Sequence, residues 1–361
     1  MGGGQRSMDD MRSRPLPEAD LLYVLRAAQG VWEGLRGQRI FITGATGFVG
    51  RWLMESLQAA DYALGLDVEV VALSRDPERF LRSVPHLAVW SKLTWVRGSV
   101  ATLTPETLGD RKFDSVIHLA TEANLAATQA DPNAAREVIA GGTLRTLEVA
   151  SCTGARRFLF TSSGSVYGPQ PEGVAALSEN RSLPVAVTGD RDAATTGAEA
   201  KRQAEGHCAD FAKDRGLEVV IARCFTFAGP AMPLDGKFAF GNFLKDALAG
   251  RRIILTGDGT PVRSYMFGAD LALWLWTLLI RGATGGIYNV GSEEAISLRD
   301  LAETMAHELG APGIDIQQQP VHGMPVNRYV PSTQKARNEL GLRESTGWVQ
   351  SILKTADWLR H

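Results

Sequence analysis

The sequence predicts an α/β protein, with a Rossmann-like, doubly wound parallel sheet and a smaller, mostly helical C-terminal lobe. Two observations support this fold class. Short, continuous apolar runs such as Arg39–Thr43 alternate with segments of helical period, as is typical of a parallel sheet covered by helices on both faces. In addition, 361 residues exceed one ordinary domain, which predicts at least one further folding unit.

The elements follow in order along the chain. Predicted strands cover Arg39–Thr43, Val68–Leu73, Leu93–Val96, Ser115–Leu119, Arg157–Ser162, Glu218–Cys224 and Gly286–Val290. Predicted helices cover Asp20–Leu35, a segment from Phe48, Asn133–Thr153, Phe243–Ala249, Leu271–Ile280, Leu298–Leu309 and Ile352–Leu359. Segments whose apolar residues recur about every 3.6 positions are assigned as helices, and short continuous apolar runs are assigned as buried strands.

These elements divide into three predicted units. Residues 1–36 form an N-terminal extension with a helix, for which Asp20 is the predicted N-cap. Residues 37–228 form a dinucleotide-binding domain, and 229–361 form mainly a substrate-binding lobe, with the option that the strand near 286–290 returns to the first sheet.

Composition excludes several classes of partner. The 38 Lys and Arg residues are balanced by 40 Asp and Glu residues, for a net charge of −2, so no basic field attracts nucleic acid. The most apolar run, Leu271–Ile280, is half the roughly 20 residues of a membrane helix. The three cysteines lie far apart, without metal-ligand spacing, which favours a cytoplasmic protein with no metal site.

A glycine-rich turn joins the first predicted strand to a helix. It has the spacing G-x-x-G-x-x-G, and its candidate cofactor contacts are Gly44, Thr46, Gly47, Phe48, Val49 and Gly50. A tight turn into a helix N-terminus presents backbone amides to a pyrophosphate, and glycine lets the backbone approach it closely. The turn therefore predicts a dinucleotide site.

A series of motifs in the same order makes the similarity to a known family specific. They are Thr43–Gly50, Val116–Ala120, Phe160–Gly168, Lys201–Glu205, Gly229–Pro230, Gly257–Gly259 with Arg263, Tyr288–Gly291, and Lys335–Arg337 with Glu339–Gly341. From about Arg39 onward the chain resembles an extended short-chain dehydrogenase/reductase of the nucleotide-sugar epimerase and dehydratase group. The resemblance implies an NAD(P)-dependent enzyme that acts on a nucleotide-diphosphate sugar.

The end of the second strand bears on the choice of dinucleotide. A carboxylate there binds the adenosine ribose of NAD, whereas an arginine accommodates the extra phosphate of NADP. The strand ends in Ser74 and Arg75, and Asp76 follows. NADP is therefore slightly favoured over NAD, the alternative being an Arg75 that is merely solvated. The resemblance adds Leu119 and Ala120 as cofactor contacts.

The catalytic positions of the family contain a gap. Family members use a serine or threonine hydroxyl, a tyrosine acid/base and a lysine four residues after the tyrosine. The matching positions are Ser163, Gly197 and Lys201. Glycine has no side chain to transfer a proton, and a positioned acid–base group is worth about 10²- to 10⁴-fold in rate. Thr196 and Glu199 fit a capping box that starts the helix presenting Lys201.

Three explanations of Gly197 stay open. A substitute acid or base reaches the substrate; the chain is a catalytically silent relative that binds nucleotide and sugar; or the glycine was introduced to inactivate a 4,6-dehydratase or epimerase. The candidates for a substitute group are Tyr167, Glu122, Asn124, Thr195 and Thr196. Among these, Glu122 and Tyr167 are the predicted catalytic residues.

The sugar end gives further expectations. Family dehydratases carry Asp-Glu directly after the catalytic hydroxyl, where this chain has Gly164 and Ser165, which favours epimerase-type or reductase-type chemistry. Arg263 matches the family arginine that holds the substrate diphosphate, a role suited to a guanidinium fork. The other implied substrate contacts are Ser163, Ser165, Asn124, Thr226, Asn242 and Phe243. The family habit of pairing two helices per subunit implies a homodimer.

Overall fold

The computed structural model describes residues 14–121, 125–183, 193–234 and 238–360. Its strands are β1 (Arg39–Thr43), β2 (Glu69–Ser74), β3 (Leu93–Arg97), β4 (Ser115–His118), β5 (Arg157–Ser163), β6 (Glu218–Cys224), β7 (Phe227–Ala228), β8 (Ile253–Leu255), β9 (Val262–Arg263), β10 (Met266–Phe267), β11 (Ile287–Val290), β12 (Ile296–Ser297), β13 (Ile314–Ile316) and β14 (Arg328–Tyr329).

Helices make up the surrounding layers. They are α1 (Glu18–Ala27), α2 (Gln29–Trp32), α3 (Phe48–Leu64), α4 (Pro77–Ser83), α5 (Pro85–Ala88), α6 (Leu125–Ala130), α7 (Pro132–Arg136), α8 (Gly142–Cys152), α9 (Ala193–Arg215), α10 (Ala239–Leu248), α11 (Gly268–Arg281), α12 (Leu298–Leu309), α13 (Gln334–Leu340) and α14 (Trp348–Arg360). A π-helical segment, Glu137–Gly141, joins α7 to α8.

Seven strands form one parallel sheet in the order β11-β6-β5-β4-β1-β2-β3. The predicted fold class, a doubly wound parallel sheet between helices, is confirmed. The chain leaves β1 in one direction towards β3 and then in the other towards β11, so the strand order reverses between β1 and β4. Ligands of such sheets bind at the carboxyl ends of the strands beside this switch point.

The two faces of the sheet bury different helices. On one face Trp52 of α3 and Trp274 of α11 lie in a core that also includes the N-terminal α1. On the other face Leu147 of α8 and Ala204 of α9 pack against the strands. Burying apolar area on both faces, at about 25 cal/mol per Å², explains why the strands are continuous apolar runs.

The N-terminal extension differs from its prediction in detail. The predicted single helix from Asp20 begins at Glu18 and is interrupted at Ala28. Asp20 is therefore not the N-cap: it lies inside α1, 3% exposed, and its carboxylate pairs with the ammonium of Lys354 in α14. A long-range ion pair thus decides the position of this residue, whereas the sequence had suggested a local cap.

In the C-terminal lobe, α10, α12 and α14 pack around a separate core. Two short sheets lie beside it, one formed by β8 and β13 and one with the strand order β12-β9-β14. The predicted boundary at 229 is not the boundary of the large sheet, because β11 pairs with β6 and both α11 and α13 pack in the core of that sheet. No helix in the described ranges is long and apolar enough to cross a membrane. The three cysteines are free, and these ranges hold no group of three or more potential metal ligands.

Candidate active site

The glycine turn after β1 is required by close backbone packing. Gly44 has a φ of +73°, and a Cβ there would lie 2.6 Å from the backbone nitrogen of Ala120. A Cβ at Gly50 would lie 2.5 Å from the backbone of Ala45. At the start of α3 the N-cap is Gly47, which has no side chain to cap the first-turn amides. The turn and the helix N-terminus thus fit a pyrophosphate, as the sequence predicted.

This turn also brings the neighbouring predicted contacts together. Thr46 and Gly47 are exposed, Phe48 and Val49 are half-buried, and Leu119 and Ala120 follow β4 directly beside Gly44. The residues therefore form one cradle at the switch point of the sheet. Their contact with a cofactor stays a prediction that this geometry supports.

At the end of β2, three residues have different surroundings. Ser74 is buried and its hydroxyl accepts the amide of Asp76 at 3.2 Å, while the Arg75 side chain is exposed. The carboxylate of Asp76 accepts the amide of Arg79 at 3.0 Å as the N-cap of α4. Both Arg75 and Asp76 are exposed, but the carboxylate of Asp76 is engaged as a helix cap, whereas Arg75 is the cation at this strand end.

Lys201 lies buried on α9, where its ammonium donates to the carbonyl of Thr161 at 2.8 Å and stands 4.7 Å from the ring centre of Phe160. Burial lowers the pKa of Lys201 to about 8. The same burial, with the nearby Lys201 charge, lowers the pKa of His118 to about 3, so this imidazole is neutral. Lys201 is therefore a cation near the end of β5 that loses its proton at a pH only slightly above neutral.

Ser163 ends β5, and its exposure is intermediate. Its hydroxyl oxygen accepts the amide of Ser165 at 3.1 Å and lies 3.4 Å from the phenol oxygen of Tyr329. Tyr329 belongs to β14 of the C-terminal lobe and was not predicted as a site residue. Because it comes from a two-residue strand far along the chain, nothing local in the sequence indicated that it would meet Ser163.

The helix that presents Lys201 does not start as predicted. Thr196 lies inside α9, which already runs from Ala193, so the capping box of Thr196 and Glu199 is wrong. The Thr196 hydroxyl is buried and has no hydrogen-bond partner among the described residues. Among the described residues, no atom lies within 4 Å of a Cβ added at Gly197. A side chain can therefore begin at this position without meeting the described part of the chain.

The other substitute groups have different positions. Tyr167 is 2% exposed, and its hydroxyl donates to the side-chain carbonyl of Asn289 at 2.8 Å. The guanidinium of Arg223 lies 4.7 Å from the ring centre of Tyr167 and forms an ion pair with Glu205 at 2.7 Å. This geometry favours a packing role for Tyr167, whose catalytic role stays a prediction. Two more candidates, Glu122 and Asn124, lie outside the described residues.

Arg263 of β9 is half-buried. Its guanidinium donates to the carbonyl oxygens of Val262 at 2.8 Å and Asn327 at 3.0 Å. Among the described residues no carboxylate lies within ion-pair distance of it, and burial lowers the pKa of Arg263 from its ordinary value. A cation held by backbone carbonyls without a counter-ion is suited to an anionic ligand such as a diphosphate.

The remaining predicted substrate residues are dispersed. Thr226 follows β6 and is half-buried, and its carbonyl accepts the amide of Met266 at 3.0 Å. On α10, Asn242 is half-buried, but Phe243 is 5% exposed and packs in the core of the C-terminal lobe. Their substrate roles stay predictions, with the least support from geometry for the Phe243 side chain.

Comparison with known proteins identifies the family. The model of the NAD dependent epimerase/dehydratase family matches residues 40–291. The chain belongs to this family. The predicted membership and enzyme class are thereby confirmed, and the match runs from β1, through the glycine turn and Lys201, to the end of β11.

Individual relatives agree with the assignment. UDP-glucuronic acid decarboxylase 5 of Arabidopsis thaliana is 30% identical over 313 residues, 84% of each chain. UDP-glucuronic acid decarboxylase 1 of the same plant is 29% identical over 85% of this chain, which spans 66% of that relative, just under two thirds. A double mutant of dTDP-glucose 4,6-dehydratase from Streptomyces venezuelae, solved with NAD bound, is 25% identical, with a TM-score of 0.75 over 90% of this chain and 97% of that one.

Proposed function

We propose that this chain is an NAD(P)-dependent enzyme that carries out epimerase-type or related redox chemistry on the sugar of a nucleotide-diphosphate sugar. The main support for this proposal is the position of two groups in the sheet. The glycine turn follows the carboxyl end of β1 and Ser163 lies at the carboxyl end of β5, with only β4 between these two strands. Lys201 of α9 is bonded to the carbonyl of Thr161 in the same strand β5. A dinucleotide on the turn would thus extend towards the pair.

Each group has a defined part in this proposal. Bound NAD(P) supplies the acceptor and donor of a hydride. The first-turn amides of α3 hold the pyrophosphate, and Lys201 holds the nicotinamide ribose through its ammonium. Because the Ser163 oxygen already accepts the Ser165 amide, its O–H is available to donate to a sugar oxygen. Arg263 neutralises the diphosphate of the sugar nucleotide.

A 4,6-dehydratase of the usual type is disfavoured on steric grounds. A Cβ at Gly164 would lie 2.6 Å from the ring of Phe225, so the acid that dehydratases carry at this position would collide with that ring. Phe225 occupies the space instead. Epimerase-type or reductase-type chemistry is therefore favoured.

The cofactor and assembly follow as parts of the proposal. Arg75 faces solvent where the adenosine ribose would lie, while Asp76 is engaged as a cap, which supports a slight preference for NADP over NAD. We also propose a homodimer, whose expected mass is twice 39.0 kDa in light scattering after size-exclusion chromatography.

The test is turnover of a sugar-nucleotide panel by purified protein with NAD or NADP. The panel contains UDP- and dTDP-hexoses and UDP-glucuronic acid, because the relatives include UDP-glucuronic acid decarboxylases. We expect conversion of at least one sugar, seen by chromatography, with a change in nicotinamide absorbance if reduced cofactor accumulates. Lys201→Met is the negative control.

The second candidate is a silent binder of nucleotide and sugar, favoured by the absence of a phenol at Gly197. It predicts that calorimetry detects binding of cofactor and sugar nucleotide, while every sugar of the panel is recovered unchanged. That result would contradict the enzymatic proposal without affecting the binding site.

A further inference from the structure

Tyr329 provides a phenol at the place where the sugar oxygen is expected. Its oxygen lies 3.4 Å from the Ser163 hydroxyl and 3.5 Å from the carbonyl of Cys224, and the residue is half-buried. The separation from Ser163 exceeds an ordinary hydroxyl hydrogen bond, about 2.7–2.8 Å. Two oxygens 3.4 Å apart are also close enough for one further oxygen to lie about 2.8 Å from each of them.

The backbone around Tyr329 is fixed from two sides. In β14 it is the register partner of Arg263 in β9, so the phenol lies beside the arginine proposed to hold the diphosphate. The next residue, Val330, donates its amide to Gln170 at 3.0 Å and accepts that of Leu177 at 2.9 Å. These bonds attach the strand to the loop that follows Ser163.

Its ring is equally constrained. The Tyr329 ring packs on Phe225, with centroids 4.6 Å apart and planes 32° apart. Phe225 in turn occupies the space that the missing Cβ of Gly164 leaves. The glycine that removes the dehydratase acid is thus the one that allows the aromatic contact supporting the phenol.

We propose that Tyr329 is the catalytic phenol that replaces the tyrosine missing at Gly197 and exchanges a proton with the sugar oxygen bound by Ser163. This rests on the proposed function. With NAD(P)⁺ bound, oxidation would move the sugar C–H hydride to the cofactor and the hydroxyl proton to Tyr329 once its phenol has ionised, which would give a keto sugar, NAD(P)H and a phenol. In the reductive direction the hydride returns to the carbonyl carbon and the phenol protonates its oxygen.

The surroundings keep the phenol protonated at rest. Burial raises the pKa of Tyr329, and the charge of the nearby Cys224 raises it further. The long hydrogen bond to Ser163 and the charge of Arg263 lower the pKa, but by less than burial raises it. The net result is a neutral phenol, which is the form that donates a proton to a keto sugar. Tyr329 thus acts as an acid when a keto sugar enters the site.

The first test compares turnover of wild type and Tyr329→Phe with the sugar that the panel identifies. Loss of a positioned acid–base group predicts a fall in kcat of about 10²- to 10⁴-fold, while the ring still packs on Phe225. Gly197→Tyr in the Tyr329→Phe background is expected to restore activity, because it returns a phenol to the position where the family resemblance implies one, and a Cβ there meets no atom of the described residues within 4 Å. The matched control is Tyr62→Phe, a tyrosine of α3 that is 64% exposed.

A second measurement does not depend on turnover. Calorimetry is done with UDP or dTDP alone and with the corresponding sugar nucleotide. Loss of one hydrogen bond to the sugar predicts that Tyr329→Phe binds the sugar nucleotide about 2- to 12-fold more weakly, with the affinity for the nucleoside diphosphate unchanged. Equal weakening of both would assign the phenol to the diphosphate and overturn the proposal.

The outcomes separate the two proposals. If wild type turns over and Tyr329→Phe stays within about threefold of it, the role of Tyr329 is overturned and the proposed function stands. If wild type converts no sugar, the proposed function and the catalytic role fall together. Turnover that depends on Tyr329 and is rescued by Gly197→Tyr supports both.

Discussion

The cofactor turn and the proton-transfer site lie on the same edge of the sheet but are specified in different ways. The turn is local: Gly44, Gly47 and Gly50 follow β1 within seven residues. The proton-transfer site is assembled from Ser163 on β5, Lys201 on α9 and Tyr329 on β14. Backbone geometry fixes the first, whereas packing between lobes fixes the second.

The difference indicates which half tolerates change. At Gly44 and Gly50 the turn accepts no side chain, because a Cβ there collides with backbone. A proton donor needs only its functional group at the right point in space, and another element of the fold can supply it. On our proposal, Tyr329 of β14 supplies the phenol that position 197 of α9 lacks.

The largest expected effect is that of Gly44→Ala, which tests whether the turn is as intolerant as the geometry indicates. Its Cβ would lie 2.6 Å from backbone at a φ of +73°, so we expect NAD(P) binding to fall below detection in calorimetry. The control is Gly65→Ala, with a φ of +58° and no atom within 4 Å of the Cβ. It isolates the cost of the left-handed backbone, about 1–2 kcal/mol in urea unfolding. Equal cofactor affinity in both variants would refute the steric argument.

The next effect concerns pH and Lys201, which links the two halves. Its pKa of about 8 in the fold lies below the ordinary 10.5, so between these values the unfolded state binds more protons and stability rises with pH. Relative to Lys201→Met, the wild type should gain on the order of 3 kcal/mol between pH 8 and 10.5. Urea unfolding at several pH values measures this gain, and a pH-independent difference would contradict it. Cofactor affinity should fall above pH 8, as the ammonium is lost.

The smallest effect concerns the choice of dinucleotide. Arg75→Asp replaces the exposed cation at the end of β2 with an acid that can bind ribose hydroxyls, so we expect the ratio of NADP to NAD affinity to fall about tenfold or more. Arg82→Asp, an exposed position of α4, makes the same charge change away from the strand end. If Arg82→Asp shifts the ratio equally, overall charge sets the preference and Arg75 has no special part.

Much of the fold could be predicted because its signals are short in range. The bounds of β1, β6 and α12 agree with the predicted segments to the residue, since apolar runs and flanking turns mark them. Predictions that depended on a single polar residue failed where a distant partner was present. Asp20 meets Lys354 instead of capping a helix, and Thr196 is enclosed by a helix that begins earlier.

The sequence by itself determined the family, the parallel sheet and the glycine turn, because apolar strand runs and the spacing of the glycines are short-range signals. The roles of Ser163 and Lys201 and the missing phenol at Gly197 stay predictions from the family resemblance. Only the tertiary structure decided what stands beside Ser163. Tyr329 is 166 residues away, and it reaches the sheet because β14 pairs with β9 and its ring packs on Phe225 over Gly164. Such a contact depends on how two lobes pack, and no spacing within the sequence encodes that distance.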